Sequence, residues 1–179
     1  MKKLIFAACF LTFATTSFSQ INKGQWLAGG SASLNFTKYG SDDNDKVTTV
    51  SVAPDLGYFF INNFAGGARI NLTSLKAKGA EDAETSFLFA PFVRYYFLPS
   101  TQKVNVFADA SYGFGSVKSG GESDGMNQFA IAAGPAVFLS PNTALEFTLQ
   151  YSSAGGDAYG DDRLNNFGFN VGFQVHLGK

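Results

Sequence analysis

The sequence predicts an all-β chain: an eight-stranded antiparallel transmembrane β-barrel of up-and-down topology, preceded by a cleaved signal peptide. Three observations point there. Eight runs after residue 25 alternate apolar with small or polar residues at a period of two, the spacing at which strand side chains face opposite sides. The joints between runs alternate short and long, which in an antiparallel meander gathers all the short turns at one end. Charge is scarce, at 15% against about a quarter in average proteins, while Phe and Gly each number 20 among 179 residues.

The leader comes first. Lys2 and Lys3 form a basic start, an apolar stretch runs to Ala14, and Ser17-Phe18-Ser19 gives the small-x-small pattern of a cleavage site. The apolar stretch is far short of the roughly 20 residues a helical span needs. Residues 1–19 are therefore expected to be a signal peptide and residues 20–179 a single barrel domain. Cys9, the only cysteine, falls in the leader, so the exported chain has no disulfide or thiolate site. Loss of the leader removes two lysines and no acid, which takes the formal charge from −1 to −3.

Taken in order, the first run sets Trp26, Ala28, Ala32, Leu34 and Phe36 against Ser31, Ser33, Asn35 and Thr37. The second sets Val50, Val52, Pro54, Leu56, Tyr58 and Phe60 against Thr49, Ser51, Asp55 and Gly57. In the third, Phe64, Ala68, Ile70 and Leu72 oppose Gly67, Arg69, Asn71 and Thr73. In the fourth, Phe87, Phe89, Val93, Tyr95 and Phe97 oppose Ser86, Ala90, Arg94 and Tyr96, with Leu88 and Phe92 out of pattern. The fifth sets Val104, Val106, Ala108, Ala110, Tyr112 and Phe114 against Asn105, Asp109, Ser111, Gly113 and Gly115. The sixth alternates from Gln128 to Leu139, and the seventh sets Leu145, Phe147, Leu149 and Tyr151 against Glu146, Thr148, Gln150 and Ser152. The eighth closes the chain, with Phe167, Phe169, Val171, Phe173, Val175 and Leu177 opposite Gly168, Asn170, Gly172, Gln174 and His176. These runs reach or exceed the 9–11 residues of a tilted membrane strand.

Short joints are expected near Asn62, at 99–103 and at 140–142, and long polar loops at 39–46, 74–84, 118–126 and 154–163. The long stretches hold eleven of the fourteen acids, among them Asp42, Asp43, Asp45, Glu81, Asp82 and Glu122. Five charges remain inside strands: Asp55, Arg69, Arg94, Asp109 and Glu146, and all five share the parity of the small, polar row. The opposite row is a continuous band of Phe, Val, Leu, Tyr and Ile. A soluble sandwich would bury that band and cover its other face with Lys and Glu. Here the other face is Gly, Ala, Ser and Asn, which suits the narrow interior of an eight-stranded barrel. The apolar band is therefore read as lipid-facing.

Register sharpens the interior. A turn centred on Asn62 sets Asp55 opposite Arg69, and one centred between Thr101 and Gln102 sets Arg94 opposite Asp109. Opposed charges on one face of neighbouring strands attract. Asp55, Arg69, Arg94, Asp109 and Glu146 are thus expected to form a luminal ion-pair cluster, with Gln174 and His176 as neighbours. Aromatic girdles are expected at both rims, Trp26, Tyr58, Phe60, Phe64, Tyr95, Phe97 and Phe147 at one, Tyr112, Phe114, Tyr151 and Phe167 at the other.

With these features the chain resembles the small eight-stranded outer-membrane β-barrels of Gram-negative bacteria, the porin-like family of the outer membrane protein A and X type. The resemblance covers residues 20–179 and rests on leader, strand count, loop alternation and the aromatic last strand. It implies a cell-outer-membrane location, a lumen filled by side chains, and a structural, adhesive or surface-interaction role. The chain departs from the family at its end, where the apolar frame stops at Leu177 and Gly178-Lys179 follow in place of a terminal aromatic residue.

Chemistry is sparse. His176 is the only histidine, and its lumen parity suits packing or a hydrogen bond to Glu146 better than catalysis. Gly113-Phe114-Gly115 and Ser119-Gly120-Gly121 precede no helix that could hold a phosphate. The acidic loops lack the ligand spacing of an EF-hand and read as solvated. A net acidic chain without a basic stripe does not suit nucleic acid. The expectation is a monomeric, non-enzymatic barrel without a cofactor, in contact with outer-membrane lipids and lipopolysaccharide, whose acidic loops could meet an extracellular partner. A narrow solute channel and, further off, a lipid-modifying enzyme are the alternatives.

Overall fold

The computed structural model describes residues 21–38, 46–79 and 82–178. The leader, and the acidic positions Asp42, Asp43, Asp45 and Glu81, lie outside the described residues. Eight strands follow one another: β1 (Trp26–Lys38), β2 (Lys46–Ile61), β3 (Phe64–Ala77), β4 (Glu84–Tyr96), β5 (Val104–Ser119), β6 (Glu122–Ser140), β7 (Thr143–Gly156) and β8 (Gly160–Leu177). Each pairs antiparallel with the next, and β8 returns to β1 to close a barrel.

The registers fix the barrel's stagger. Trp26 pairs with Tyr58, Tyr58 with Gly66, Gly66 with Val93 and Val93 with Ala110. From Ala110 the row runs to Ile131, Tyr151 and Phe167. The β8–β1 register pairs Val171 with Ala32, so Phe167 projects to position 36, ten residues up from the starting Trp26. A shear of this size tilts the strands by about 40° and leaves an interior that side chains can fill.

The outward row is the apolar one. Leu34, Leu56, Phe87, Ile131, Leu149 and Phe173 are all exposed, while Asp55, Arg94, Asp109, Glu146, Gln174 and His176 are buried inside. Aromatic rings stack edge to face along the rim nearer the termini, Trp26 on Tyr58 at 5.2 Å and Tyr95 on Phe97 at 5.1 Å. Such pairs hold a barrel in the headgroup layer.

The long loops are shorter than the sequence predicts. β5 and β6 stay paired out to Ser119 and Glu122, and β7 and β8 out to Gly156 and Gly160. The β5–β6 turn is made by Gly120 and Gly121, at φ 57° and 93°, the positive values a two-residue hairpin turn needs at both central positions. The physical reason is that alternation records lipid on one face. Where paired strands project past the membrane both faces meet water, the apolar row ends, and the ladder continues on backbone hydrogen bonds alone.

Candidate functional site

Adjacent strands bring the five strand charges into one layer across the lumen. Asp55 stands opposite Arg69 on the β2–β3 ladder and Arg94 opposite Asp109 on β4–β5. Arg69 donates to Asp55 Oδ2 at 3.3 Å through Nη2 and to both carboxylate oxygens of Asp109 at 3.1–3.2 Å. Arg94 Nε donates to Asp109 Oδ2 at 3.1 Å, and its Nη1 reaches across the barrel to Glu146 on β7 at 2.9 and 3.0 Å. The result is a chain, Asp55–Arg69–Asp109–Arg94–Glu146, in which each guanidinium lies between two carboxylates. Gln174 on β8 extends it, its amide Nε2 donating to both oxygens of Asp55 at 3.0 and 3.1 Å. Three acids against two bases leave the layer one negative charge in excess.

Aromatic rings pack against the layer. The Phe92 ring faces both guanidiniums, 4.9 Å from Arg69 Cζ and 5.8 Å from that of Arg94, and Phe107 is 4.5 Å from Arg94 Cζ. A ring face attracts a cation most when both are desolvated. Tyr96 joins the two tiers, its hydroxyl donating to Glu146 Oε1 at 3.2 Å while its ring packs on Phe59 and Phe107. His176 sits in this lower tier. Its ring stacks on Phe59 at 5.7 Å and packs against Phe138 at 5.4 Å and Tyr96 at 5.9 Å. His176, expected beside the charged layer, thus packs among rings on the side of Gln174 nearer the chain end, two positions further along β8.

The segment before β1 closes the floor. Ile21 is buried in the same apolar cluster as Leu27, Phe59 and Phe138. Backbone bonds hold it there, Asn63 N–H donating to Ile21 O at 2.8 Å and Gly24 N–H to Phe59 O at 2.9 Å. Asn105 clamps the β4–β5 turn by exchanging two hydrogen bonds with Leu98.

Above the ion layer the lumen is looser. A void of about 40 Å³ borders Ser31, Gln150, Asn170 and Gln174, room for little more than one water. At the far end Leu88, Ala90, Val117, Met126 and Ala154 form a second apolar cluster on one side, covered by Ala158 and Tyr159 of a single 3-10 turn, Asp157–Tyr159. Burial, with Glu84 nearby, pushes the Tyr159 phenol above its usual range. Arg163 ties β8 to its neighbours by donating to the Ser153 side chain and carbonyl, at 2.9 and 2.8 Å, and to Asn127 at 3.2 Å.

Within the layer the polar groups satisfy one another. The carboxylates accept from guanidiniums, an amide and a phenol, and His176 is enclosed by rings. Among the described residues no three His, Cys, Asp or Glu side chains converge as a metal site. Sequence reasoning misses the aromatic tier: Phe59, Phe92, Tyr96, Phe107 and Phe138 all have inward parity. The signal was present in the two residues that broke the fourth run, Leu88 and Phe92, both of which point into the lumen.

Comparison with known proteins agrees with this architecture. The solved structure of Neisserial surface protein A matches with a TM-score of 0.57 at 15% identity, over 86% of this chain and 97% of that one. The outer membrane protein OprG from Pseudomonas aeruginosa matches with a TM-score of 0.53 at 10% identity, over 92% of this chain and 100% of that one. At such identities the likeness is one of fold. No curated protein matches the chain in sequence. The model of the outer membrane protein beta-barrel domain matches residues 5–174, nearly the whole length, and the chain belongs to that family.

Proposed function

We propose that this protein is an integral outer-membrane barrel with a plugged lumen and a structural or surface-interaction role, exported through a cleavable leader and monomeric in the membrane. The observation that carries the reading is the two-tier closure near the termini, where an ion layer spanning β2 to β8 rests on a floor of Phe59, Tyr96, Phe107, Phe138 and His176. A water-continuous pore would have to break both. The termini are read as periplasmic, which turns the opposite rim outward. There Asp82, Glu84, Glu122, Asp124, Asp157, Asp161 and Asp162 are all exposed, an acidic surface suited to an extracellular partner or to divalent cations bridging lipopolysaccharide. A histidine-based lipid-modifying enzyme is disfavoured by the enclosure of His176, since such chemistry needs its base at the lipid face or in an outer pocket.

Single-channel recording in planar bilayers tests the plugged lumen, run on protein whose mobility on unboiled gels shifts with heating. The expected result is a heat shift with no steady conductance. Steady conductance steps would establish the narrow channel instead.

A further inference from the structure

The lipid-facing wall is not even. It dips over β5 and β6, where three outward positions are alanines: Ala108, Ala110 and Ala133. Ala108 pairs with Ala133, and Ala110 lies beside them on β5. Their neighbours along the same two ladder rows are larger, Tyr95 and Val93 on β4, Leu149 and Tyr151 on β7. The result is a trough of about 440 Å³ on the outside of the barrel, walled by Tyr95 and Phe64 toward the rim nearer the termini and by Tyr151 and Phe167 toward the far rim.

Both walls are braced. The Tyr95 ring packs edge to face on Phe97 at 5.1 Å, and the Tyr151 hydroxyl donates to Asn165 Oδ1 at 3.0 Å. Alanine has no side-chain rotamer to lose, so the floor is rigid as well. At another small outward residue the chain fills the dent itself: a Cβ on Gly66 would meet the Phe60 ring at 3.0 Å. In a bilayer the tails are as apolar as the wall, so apolar area alone selects no occupant and close packing has to. A rigid trough offers a lipid tail contacts on three sides, where a flat wall offers one.

Charge identifies the lipid. Near the termini the rim is made by residues 21–25 and by the turns at 62–63, 97–103 and 140–142, which hold Lys23 and Lys103, both exposed, and no acid. Lys103 ends the turn that joins β4 to β5, and its carbonyl accepts from Phe138 N–H at 2.8 Å, which fixes the backbone there. Ala108 lies five residues further along β5, about 17 Å of strand at ~3.4 Å per residue. At a tilt of about 40° that is about 13 Å of height, half the roughly 25 Å apolar band of an outer-membrane barrel. A tail whose head is held at Lys103 therefore reaches the trough without leaving its own leaflet.

We propose that this trough seats one acyl chain of an anionic phospholipid of the periplasmic leaflet, with the lipid phosphate on the Lys103 ammonium. Lys103 selects the head by charge and the alanine floor holds the tail by fit. The choice of leaflet rests on the reading that places the termini in the periplasm.

Brominated lipids in phosphatidylcholine vesicles test it, with Trp26→Phe so that one introduced tryptophan reports. Leu149→Trp stands on the trough wall and Leu56→Trp on β2, away from it; the parent leucines are equally exposed, at 54% and 53%. Brominated phosphatidylglycerol should quench Leu149→Trp several-fold more than brominated phosphatidylethanolamine does, while the two lipids quench Leu56→Trp alike. Ala133→Phe, which fills the trough, and Lys103→Gln, which removes the charge, should each make the two lipids equal at Leu149→Trp. A preference shared by both reporters, a preference at neither, or one at Leu149→Trp that survives either variant, in protein that keeps its heat shift, overturns the seat alone. Absence of the heat shift in the unsubstituted chain overturns the barrel and the seat together.

Discussion

Arg94 faces Asp109 across the β4–β5 ladder and donates Nε to its Oδ2 at 3.1 Å, while Arg69 holds the same carboxylate from β3. Asp109 is therefore shared, and the two guanidiniums reach outward from it to Asp55 and Glu146. This makes the layer one connected object from β2 to β7, and its members are not equivalent.

Loss of Arg94 should be the most damaging change in the layer. Arg94→Met leaves three carboxylates and one guanidinium, with Glu146 buried and its cation gone. Breaking a buried pair from one side costs about 3–5 kcal/mol. Asp109→Asn keeps the shape and leaves two acids facing two bases, so its loss should be nearer the ~1.5–3 kcal/mol of hydrogen bonds to charged groups. Urea unfolding in lipid vesicles ranks the two, and a larger loss for Asp109→Asn would show that connection matters more than charge count.

The two faces of β7 should respond oppositely to charge. Leu149 is exposed toward lipid and Gln150 borders the lumen. Leu149→Arg near the bilayer centre should cost about 2–4 kcal/mol. Gln150→Arg meets the layer's excess negative charge and should change stability by much less. Comparable losses in vesicle refolding would mean that the assignment of faces is wrong.

How much of this was legible follows from what a period of two records. Parity placed Asp55, Arg69, Arg94, Asp109 and Glu146 on one face, and turn centres placed two of the pairs opposite each other. Alternation reports which face a residue takes, and position along β8 already sets His176 two residues from Gln174; neither reports which rings from other strands meet it there. Tyr96 read as one more member of a polar row, although its ring builds the floor. The wet extensions of β5 to β8 carried no alternation, because no lipid imposed one.

Gly29 and Gly168 share inward parity but should differ sharply in tolerance. A Cβ at Gly29 would lie 2.1 Å from the Phe173 carbonyl oxygen and 2.4 Å from Gln174 Oε1. The first is backbone and cannot yield without shifting the ladder that closes the barrel. Gly29→Ala should therefore cut the folded fraction on unboiled gels markedly, while Gly168→Ala should fold like the parent. Equal tolerance would mean that the β1–β8 contact is softer than its register indicates.

His176 offers the test of packing against chemistry. Its ring fills a slot between Phe59, Tyr96 and Phe138, with almost no exposure. If the ring's role is to fill space, His176→Phe should keep most of the stability, because a planar ring replaces a planar ring of somewhat smaller size. His176→Ala removes the ring and leaves a cavity, and truncating a buried aromatic side chain costs about 3–5 kcal/mol. Denaturant midpoints in vesicles decide between the roles. A Phe variant close to the parent and an Ala variant far below it identify a packing residue. A Phe variant as poor as Ala would show instead that the imidazole nitrogens carry the stability, which would tie His176 to the polar layer above it.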